Sequence, residues 1–200
     1  NKLYEFLNEK KEIDSEALLK YFGLDANEYK TNLVDNKKSP CNETRTTIIN
    51  AIVKLYVKLN KLSNKEITNN IALLAPTGRA AKKMSDSTGL PAMTIHRYLK
   101  WNKEKNEFQI NEYNKNGHKL VIVDETSMID TFLFDSLLKG VKHNIKLVLV
   151  GDSNQLPSVG PGMVLNDLIA SEMFVHSPLE KIYRQSDNSY IPVLAKEIRE

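Results

Sequence analysis

Short apolar runs alternate along the chain with segments in which apolar and polar residues follow a helical period. The runs IALLA (residues 71–75), LVIV (120–123) and LVLV (147–150) predict three strands, because short unbroken apolar runs suit strands that are buried on both faces. Residues 46–59 and 129–138 place apolar side chains at the spacing of amphipathic helices. This alternation predicts an α/β fold, with a parallel sheet flanked by helices.

The segments outside this alternation are more polar. Residues 1–35 place apolar residues at helical spacing among charged ones. Residues 36–44 (NKKSPCNET) are polar and contain Pro40, so we expect a loop there. Residues 101–118 are rich in Asn and Lys, and we expect an excursion from the core. The sequence therefore predicts a short helical N-terminal appendage over residues 1–35 and a main domain over residues 36–200.

Composition narrows the class of protein. The 200 residues include 28 Lys and Arg against 25 Asp and Glu, a net charge of +3, and 41% of them are hydrophobic, as in an ordinary globular chain. No apolar run approaches the roughly 20 residues of a membrane span, and the first residues lack the apolar segment of a signal peptide, so we expect no membrane. Cys41 is the only cysteine, which excludes an intrachain disulfide and predicts a reducing, cytoplasmic environment.

Two acidic residues follow the second apolar run. Asp124 and Glu125 come directly after LVIV, and an open parallel sheet binds its ligands beyond the carboxyl ends of its strands. One carboxylate there can hold Mg²⁺, and the next can orient a water molecule for attack on a phosphate. The alternative is that both acids cap the helix that follows, because acidic residues favour helix N-termini. From this pair alone, the cap is the favoured interpretation.

The loop after LVLV carries a second polar group. Gly151, Asp152 and Gln155 follow that run, and proline and glycine residues continue as far as Gly162. The amide of Gln155 is suited to contact a terminal phosphate or to position a water molecule at the edge of the sheet. The alternative is a turn with a solvent-facing glutamine.

Polar and basic residues also follow the first apolar run. A hydroxyl group, open backbone amides at a helix start and an arginine together suit a phosphate backbone. Between residues 79 and 105, seven basic residues oppose two acidic ones. The alternatives are a solvated helix face for the basic residues and a core position for the histidine. The candidate residues are Pro76, Thr77, Gly78, Arg79, Thr94 and His96.

Four motifs in order resemble a known family. LLAPTGRAAKKMS with TIHRYL, then LVIVDETSMID, LVLVGDSNQLPSVGPG and LEKIYRQ are similar in order and spacing to the motor core of superfamily-one DNA helicases. The similarity is greatest to the RecD/TraA branch, which includes the alpha subunit of exodeoxyribonuclease V. It covers residues 46–185, and four ordered motifs are far more specific than any one of them. The resemblance implies a RecA-like P-loop NTPase domain, ATP and Mg²⁺ as cofactors, and 5′ to 3′ movement along single-stranded DNA.

The resemblance also implies roles for individual residues. Asp124 matches the acid that coordinates Mg²⁺, and Glu125 matches the acid that activates water. Gln155 matches the glutamine that contacts the terminal phosphate, and Arg184 matches the arginine that stabilises the charge developing on it. The positions that line the single-stranded DNA track are matched by Pro76, Thr77, Gly78, Arg79, Thr94 and His96.

The phosphate-binding loop departs from the family pattern. The motif G-x-x-x-x-G-K-[ST] lets backbone amides approach the phosphates and supplies a neutralising lysine, but residues 39–44 are SPCNET. The resemblance places Arg45 at the lysine and Thr46 at the hydroxyl that binds Mg²⁺, followed by Thr47. A planar guanidinium is wider than an ammonium, so this replacement is not conservative. Two explanations stay open: a degenerate nucleotide site, or a sequence misassigned around residues 36–45.

These motifs predict the first motor domain of an ATP-dependent DNA helicase with a role in DNA recombination and repair. The expected partners are single-stranded DNA, the second motor domain of the full-length chain, and other subunits of a helicase–nuclease complex. The altered phosphate loop favours an alternative, a nucleic-acid-binding or scaffold subunit without ATPase activity. A third alternative, an unrelated α/β phosphate binder, predicts no preference for single-stranded DNA.

Overall fold

A computed structural model describes residues 40–178 of the chain. The predicted appendage over residues 1–35 and the candidate residue Arg184 lie outside the described residues. Ile52–His176 form one compact unit, and residues 40–51 belong to a second unit. Within the described residues, no helix combines the length and the apolar character that crossing a membrane requires.

Strands and helices alternate along the described part of the chain, as the apolar pattern predicts. A 3₁₀ turn is formed by Thr126–Met128. The other elements of residues 40–178, in chain order, are α1 (Pro40–Asn60), α2 (Asn64–Asn70), β1 (Ile71–Ala75), α3 (Gly78–Thr88), β2 (Ala92–Thr94), α4 (Ile95–Tyr98), β3 (Trp101–Asn102), β4 (Glu107–Phe108), β5 (Leu120–Val123), α5 (Thr131–Gly140), β6 (Lys146–Leu149) and α6 (Val164–Ala170).

Four parallel strands form the main sheet, in the order β2-β1-β5-β6. Leu73 of β1 pairs with Ala92 of β2 and with Ile122 of β5, and Val123 of β5 pairs with Leu149 of β6. The predicted parallel sheet is thereby confirmed. Because the strands run parallel and pair level with one another, their carboxyl ends meet at one edge, which we call the carboxyl edge.

An apolar core covers one face of the sheet. Leu74 and Val123 point into it together with alternate neighbours on β1 and β5. The residues between them, such as Leu73 and Ile122, are buried as well. Burial on both faces explains why these strands have unbroken apolar sequences. The core cluster consists of Ala72, Leu74, Ile95, Tyr98, Leu99, Ile110, Val121, Val123, Ile129, Leu137 and Val141.

Two expectations about loops are wrong. The loop predicted over residues 36–44 does not extend through residues 40–44, which lie in α1. A proline is well tolerated at the start of a helix, where its missing N–H would have no intrahelical partner, so Pro40 does not prevent this. Residues 101–118, which we expected to lie outside the core, lie outside it only in part. They contain the antiparallel pair β3–β4, and Ile110 is buried in the core cluster.

Two element boundaries also differ from the predicted ones. The strand predicted at residues 147–150 is β6, Lys146–Leu149, because the carbonyl of Val150 accepts hydrogen bonds from Thr126 instead of continuing the ladder. The helix predicted at residues 129–138 is α5, which begins at Thr131 because the carboxylate of Asp130 caps it.

Candidate functional site

The carboxyl edge brings together the chain segments that follow all four strands of the sheet. Ala75 at the end of β1 pairs with Thr94 at the end of β2. On the other side, Leu74 pairs with Val123, and Val123 pairs with Leu149. The polar residues after these strands therefore share one edge of the molecule, as the sequence predicts.

Asp124 and Glu125 leave β5 through a sharp local bend. The backbone N–H of Asp124 donates to the carbonyl of Leu74 at 2.9 Å, which extends the strand pairing by one residue. An Oδ1 atom of Asp124 accepts the N–H of Glu125 at 2.8 Å. Glu125 then adopts a left-handed backbone, with φ 53° and ψ 41°. A side chain in this region costs roughly 1 kcal/mol, so the chain stores strain at the candidate water-activating residue.

The alternative interpretation of these acids as caps of the α5 helix is wrong. Glu125 precedes the 3₁₀ turn without a capping hydrogen bond from its side chain. The carboxylate that caps α5 belongs to Asp130, which accepts the N–H of Leu133 at 2.8 Å. Because another acid performs the capping, capping does not account for Asp124 and Glu125 at this edge.

Thr126 joins the end of β5 to the end of β6, a role that the sequence analysis missed. Its backbone N–H and its hydroxyl both donate to the carbonyl of Val150, at 3.0 and 2.9 Å. Gly151 makes the close approach possible, because a Cβ there would lie 2.7 Å from the side chain of Leu165 and 3.2 Å from the backbone N of Thr126. The available sequence signal was Gly151, a glycine directly after the third apolar run.

Gln155 lies in a tight turn directly after β6. Its backbone N–H donates to the carbonyl of Asp152 at 3.0 Å, and the carboxylate of Asp152 accepts the N–H of Asn154 at 3.0 Å. Gln155 is half-buried and lines a shallow depression together with Ser127. The turn expected in the alternative interpretation is present, and Gln155 is partly buried within it. Among the described residues, the hydroxyl oxygen of Ser127 is buried without a hydrogen-bond partner.

The residues predicted to contact DNA lie on the other half of the carboxyl edge. Thr77 caps α3 by accepting the N–H of Ala80 at 3.2 Å. Thr94 caps α4 in the same way, with the N–H of Arg97 at 3.2 Å. A hydroxyl that accepts one hydrogen bond can still donate its own hydrogen to an anion. Both helix starts thus present a donor group at the edge. The remaining predicted residues there are Pro76, Gly78 and Arg79, the last two exposed.

His96 is exposed, so its alternative placement in the core is wrong. Its ring centroid lies 5.7 Å from that of Phe108 and 6.3 Å from that of Trp101. We call these three side chains the aromatic cluster. The sequence analysis missed Trp101 and Phe108, although an aromatic residue on each side of a lysine-rich turn was visible in the sequence.

His118 holds the helix that carries His96 in place. The Nε2 atom of His118 lies 3.2 Å from the carbonyl of Thr68, which can only accept, so we assign the ring proton to Nε2. Nδ1 then accepts from the hydroxyl of Tyr98, on α4, at 3.3 Å. Burial raises the pKa of Tyr98 to about 12. Burial also lowers the pKa of His118, partly offset by its hydrogen bond to Thr68.

The predicted phosphate-loop residues Arg45, Thr46 and Thr47 lie in α1, among the residues 40–51 that belong to the second unit. Arg45 is only 7% exposed. Residues at this depth in a helix donate their N–H groups to carbonyls one turn earlier, so these amides are engaged within the helix. A glycine-rich loop at this position would instead leave its amides free to face a phosphate.

The described residues contain no cluster of three or more His, Cys, Asp or Glu side chains that could hold a metal ion by themselves. Mg²⁺ that is bound mainly through a substrate's phosphates and water needs only one or two protein carboxylates. Asp124 is the carboxylate at the carboxyl edge that fits this chemistry.

Comparison with known proteins gives a family and several relatives. A family described as AAA domain matches residues 44–161. The "RecBCD enzyme subunit RecD" of Mycolicibacterium smegmatis is 34% identical over 142 residues, which cover 62% of this chain and 26% of that protein. The "ATP-dependent RecD2 DNA helicase" of Deinococcus radiodurans is 37% identical over 116 residues, which cover 58% of this chain and 16% of that protein. The chain thus spans about a quarter or less of these relatives.

A solved structure titled "Structural Basis for DNA Unwinding at Forked dsDNA by two coordinating Pif1 helicases" overlaps 82% of this chain and 48% of its own chain, with a TM-score of 0.42 and 20% identity. The family match over residues 44–161, rather than this overlap, identifies the fold as RecA-like.

Proposed function

The chain belongs to the AAA domain family, and we propose that it is the first motor domain of a RecD-like, ATP-dependent DNA helicase that acts in DNA recombination and repair. The helicase names of its relatives support this activity. The parallel sheet supports it too, because strands that end at one edge can bind a nucleotide and a nucleic acid side by side.

One observation carries the proposal: groups suited to phosphate hydrolysis and groups suited to DNA lie on the same edge of one sheet. Asp124 directly follows β5, and Gln155 follows the adjacent β6. Thr77 and Thr94 follow the other two strands and cap the helices that begin there. A motor needs this arrangement, because a change at the nucleotide must alter the grip on DNA.

We assign proton transfer in the hydrolytic step to Glu125. Its carboxylate accepts a proton from a water molecule as the water oxygen bonds to the terminal phosphorus, and the bond from that phosphorus to the departing ADP oxygen breaks. Asp124 is the proposed protein ligand of Mg²⁺, which would neutralise charge on the phosphates. We assign contact with the terminal phosphate to Gln155 and stabilisation of its developing charge to Arg184.

We assign the DNA track to the half of the carboxyl edge formed by β1 and β2. The exposed guanidinium of Arg79 and the capping hydroxyls of Thr77 and Thr94 supply donors to phosphate oxygens. Contacts of this kind do not select a base sequence, so we expect sequence-tolerant binding to single-stranded DNA that weakens as salt rises. Movement along the strand is proposed to run 5′ to 3′.

The proposed partners follow from the relatives' names. Several of them are subunits of RecBCD, so we propose that this domain works with a second motor domain and with the other subunits of a helicase–nuclease complex in the cytoplasm.

A second candidate function has its own observation. Residues 40–44 are helical instead of forming a glycine-rich loop, and Arg45 replaces the expected lysine. Both features weaken the hold on phosphates. They favour a subunit that binds nucleic acid but hydrolyses no ATP.

Titration with a fluorescent, non-hydrolysable ATP analogue in the presence of Mg²⁺ distinguishes the two functions. The motor domain predicts saturable binding that Asp124→Asn weakens strongly. Asp135→Asn is the matched control, because Asp135 is an exposed aspartate on α5 that pairs with Lys139. If the wild-type chain shows no binding, after mass spectrometry has verified residues 36–45, the ATPase-deficient alternative replaces the motor.

A further inference from the structure

The aromatic cluster, defined above as His96, Trp101 and Phe108, forms a rigid surface feature beside the proposed DNA track. Trp101 and Phe108 lie 4.7 Å apart between ring centroids, with their planes at 62°. His96 meets the Trp101 ring edge-on, at 82°. These are the favourable edge-to-face geometries of aromatic pairs, so each ring restricts the orientation of the others.

A short hairpin fixes the cluster to the body of the domain. Trp101 pairs with Phe108 across β3 and β4. The turn between the strands is closed by the side chain of Asn102, which accepts the N–H groups of Glu104 and Lys105 at 2.9 and 3.2 Å. Phe108 is half-buried and packs against the core cluster. Phe108 therefore connects Trp101 to the core cluster.

Trp101 is nevertheless 37% exposed. An indole supplies a large, flat apolar surface, and a ring that is already held in place loses little conformational freedom when a partner binds. Folding alone does not require this exposure, because Phe108 already supplies the apolar contact with the core. The part of the Trp101 ring that faces solvent is thus available to a flat partner.

The surroundings of Trp101 are basic and continue the carboxyl edge. α4 begins directly after Thr94, the last residue of β2, so the aromatic cluster follows the half of the carboxyl edge assigned to DNA. Two exposed carboxylates, Glu104 and Glu107, lie on the hairpin. They are outnumbered by four exposed cationic side chains on α4 and the hairpin, which are Arg97, Lys100, Lys103 and Lys105.

We infer that Trp101 is a stacking platform for an unpaired base of single-stranded DNA, with the surrounding cations holding the adjacent phosphates. An aromatic ring among cationic side chains is the combination that binds single strands without sequence preference. Inside a duplex both faces of each base are covered by stacked neighbours, whereas an unpaired base offers the free face that stacking on Trp101 requires. The inference rests on the proposed function, and it adds a base contact to a track that otherwise contacts only phosphates.

The chain offers a direct spectroscopic test, because Trp101 is its only tryptophan. A short oligothymidylate carrying a fluorescent label is titrated into the 200-residue chain, and label anisotropy and tryptophan fluorescence are recorded on the same samples. Stacking predicts that tryptophan emission is quenched in parallel with the rise in anisotropy. An abasic oligonucleotide of equal length supplies phosphates without bases and should bind without quenching.

Variants separate stacking from charge. Trp101→Ala should weaken oligothymidylate binding roughly tenfold, the effect of losing one stacked base, and Trp101→Phe should restore most of it. Tyr113→Ala is the matched control, since Tyr113 is 90% exposed and lies outside the cluster. Its loss should leave affinity unchanged.

The outcomes distinguish this inference from the proposed function. Binding seen in anisotropy with unaltered tryptophan emission overturns stacking and leaves the DNA-binding function intact. Equal quenching by the abasic oligonucleotide also overturns stacking. No rise in anisotropy with any oligonucleotide contradicts the proposed DNA track, and the platform with it. The wild-type fluorescence decides the matter even where Trp101→Ala fails to fold.

Discussion

The hydroxyl of Thr126 and the carbonyl of Val150 are joined by a hydrogen bond of 2.9 Å, and the Thr126 N–H donates to the same oxygen at 3.0 Å. Thr126 is completely buried. It directly follows Glu125, whereas Val150 begins the loop that leads to Gln155. One side chain therefore ties the proposed water-activating acid to the loop that carries the proposed phosphate-contacting amide.

Replacing Thr126 by valine keeps the shape of the side chain but removes this link. We expect Thr126→Val to lower the free energy of unfolding by about 1–2 kcal/mol, the cost of losing a buried hydrogen bond. Urea unfolding measures this change. Thr126→Ser keeps the hydroxyl and should retain the coupling, so its ATP turnover should exceed that of the valine variant. Equal turnover in the two variants would show that the hydroxyl does not position Glu125.

The left-handed backbone at Glu125 predicts that this residue lowers the stability of the fold, although the proposed hydrolysis requires its carboxylate. Glycine adopts φ near 53° without the steric cost that a Cβ imposes. Glu125→Gly should therefore be more stable than Glu125→Ala by roughly 1 kcal/mol, the reverse of the usual order of the two residues. Thermal unfolding compares them. An alanine variant as stable as the glycine variant would mean that the backbone at this position is not strained.

A side chain at position 151 is predicted to lower stability. In Gly151→Ala the new Cβ would lie 2.7 Å from Leu165 and 3.2 Å from the backbone N atoms of Thr126 and Ser127. We expect a loss of about 1–3 kcal/mol in the free energy of unfolding, as for other overpacked sites. Gly117→Ala is the control, because a Cβ at Gly117 meets no atom within 4 Å. A similar loss in both variants would point to loop flexibility rather than close packing.

His118 predicts a pH dependence of stability. Burial lowers its pKa below the ordinary 6.5, so the folded state prefers the neutral ring and the unfolded state binds a proton more readily. This contribution to stability is complete above pH 6.5 and is lost as the pH falls from there through the lower folded pKa. Melting temperatures across this range should fall less steeply for His118→Asn than for wild type. His176→Asn, at an exposed histidine, should follow the wild-type curve.

The centre of the sheet could be predicted from sequence because β1 and β5 are buried on both faces. Unbroken apolar runs such as Ile71–Ala75 leave little choice of structure, and parallel strands bring the residues that follow them to one edge. The shared edge of Asp124 and Gln155 follows from that rule alone. Short strands have no unbroken apolar run that would predict them. β2, at Ala92–Thr94, has only three residues, and it is a strand because it pairs with β1.

The errors have physical causes that local sequence does not contain. Asp124 and Glu125 looked like helix caps because acids favour helix starts, but only the backbone bend shows that Asp130 takes that position. The contact from Thr126 to Val150 spans two strands. The aromatic cluster depends on a hairpin that pairs Trp101 with Phe108. Each of these is a tertiary relationship.

The central claim is that the carboxyl edge hydrolyses ATP in response to DNA. Phosphate release by the protein that carries this domain, measured with and without single-stranded DNA, tests it most directly. The account predicts release that DNA stimulates, that Glu125→Gln abolishes without loss of DNA binding, and that Glu112→Gln, at an exposed glutamate of the 111–114 turn, leaves unchanged. Undiminished release in Glu125→Gln would contradict the account.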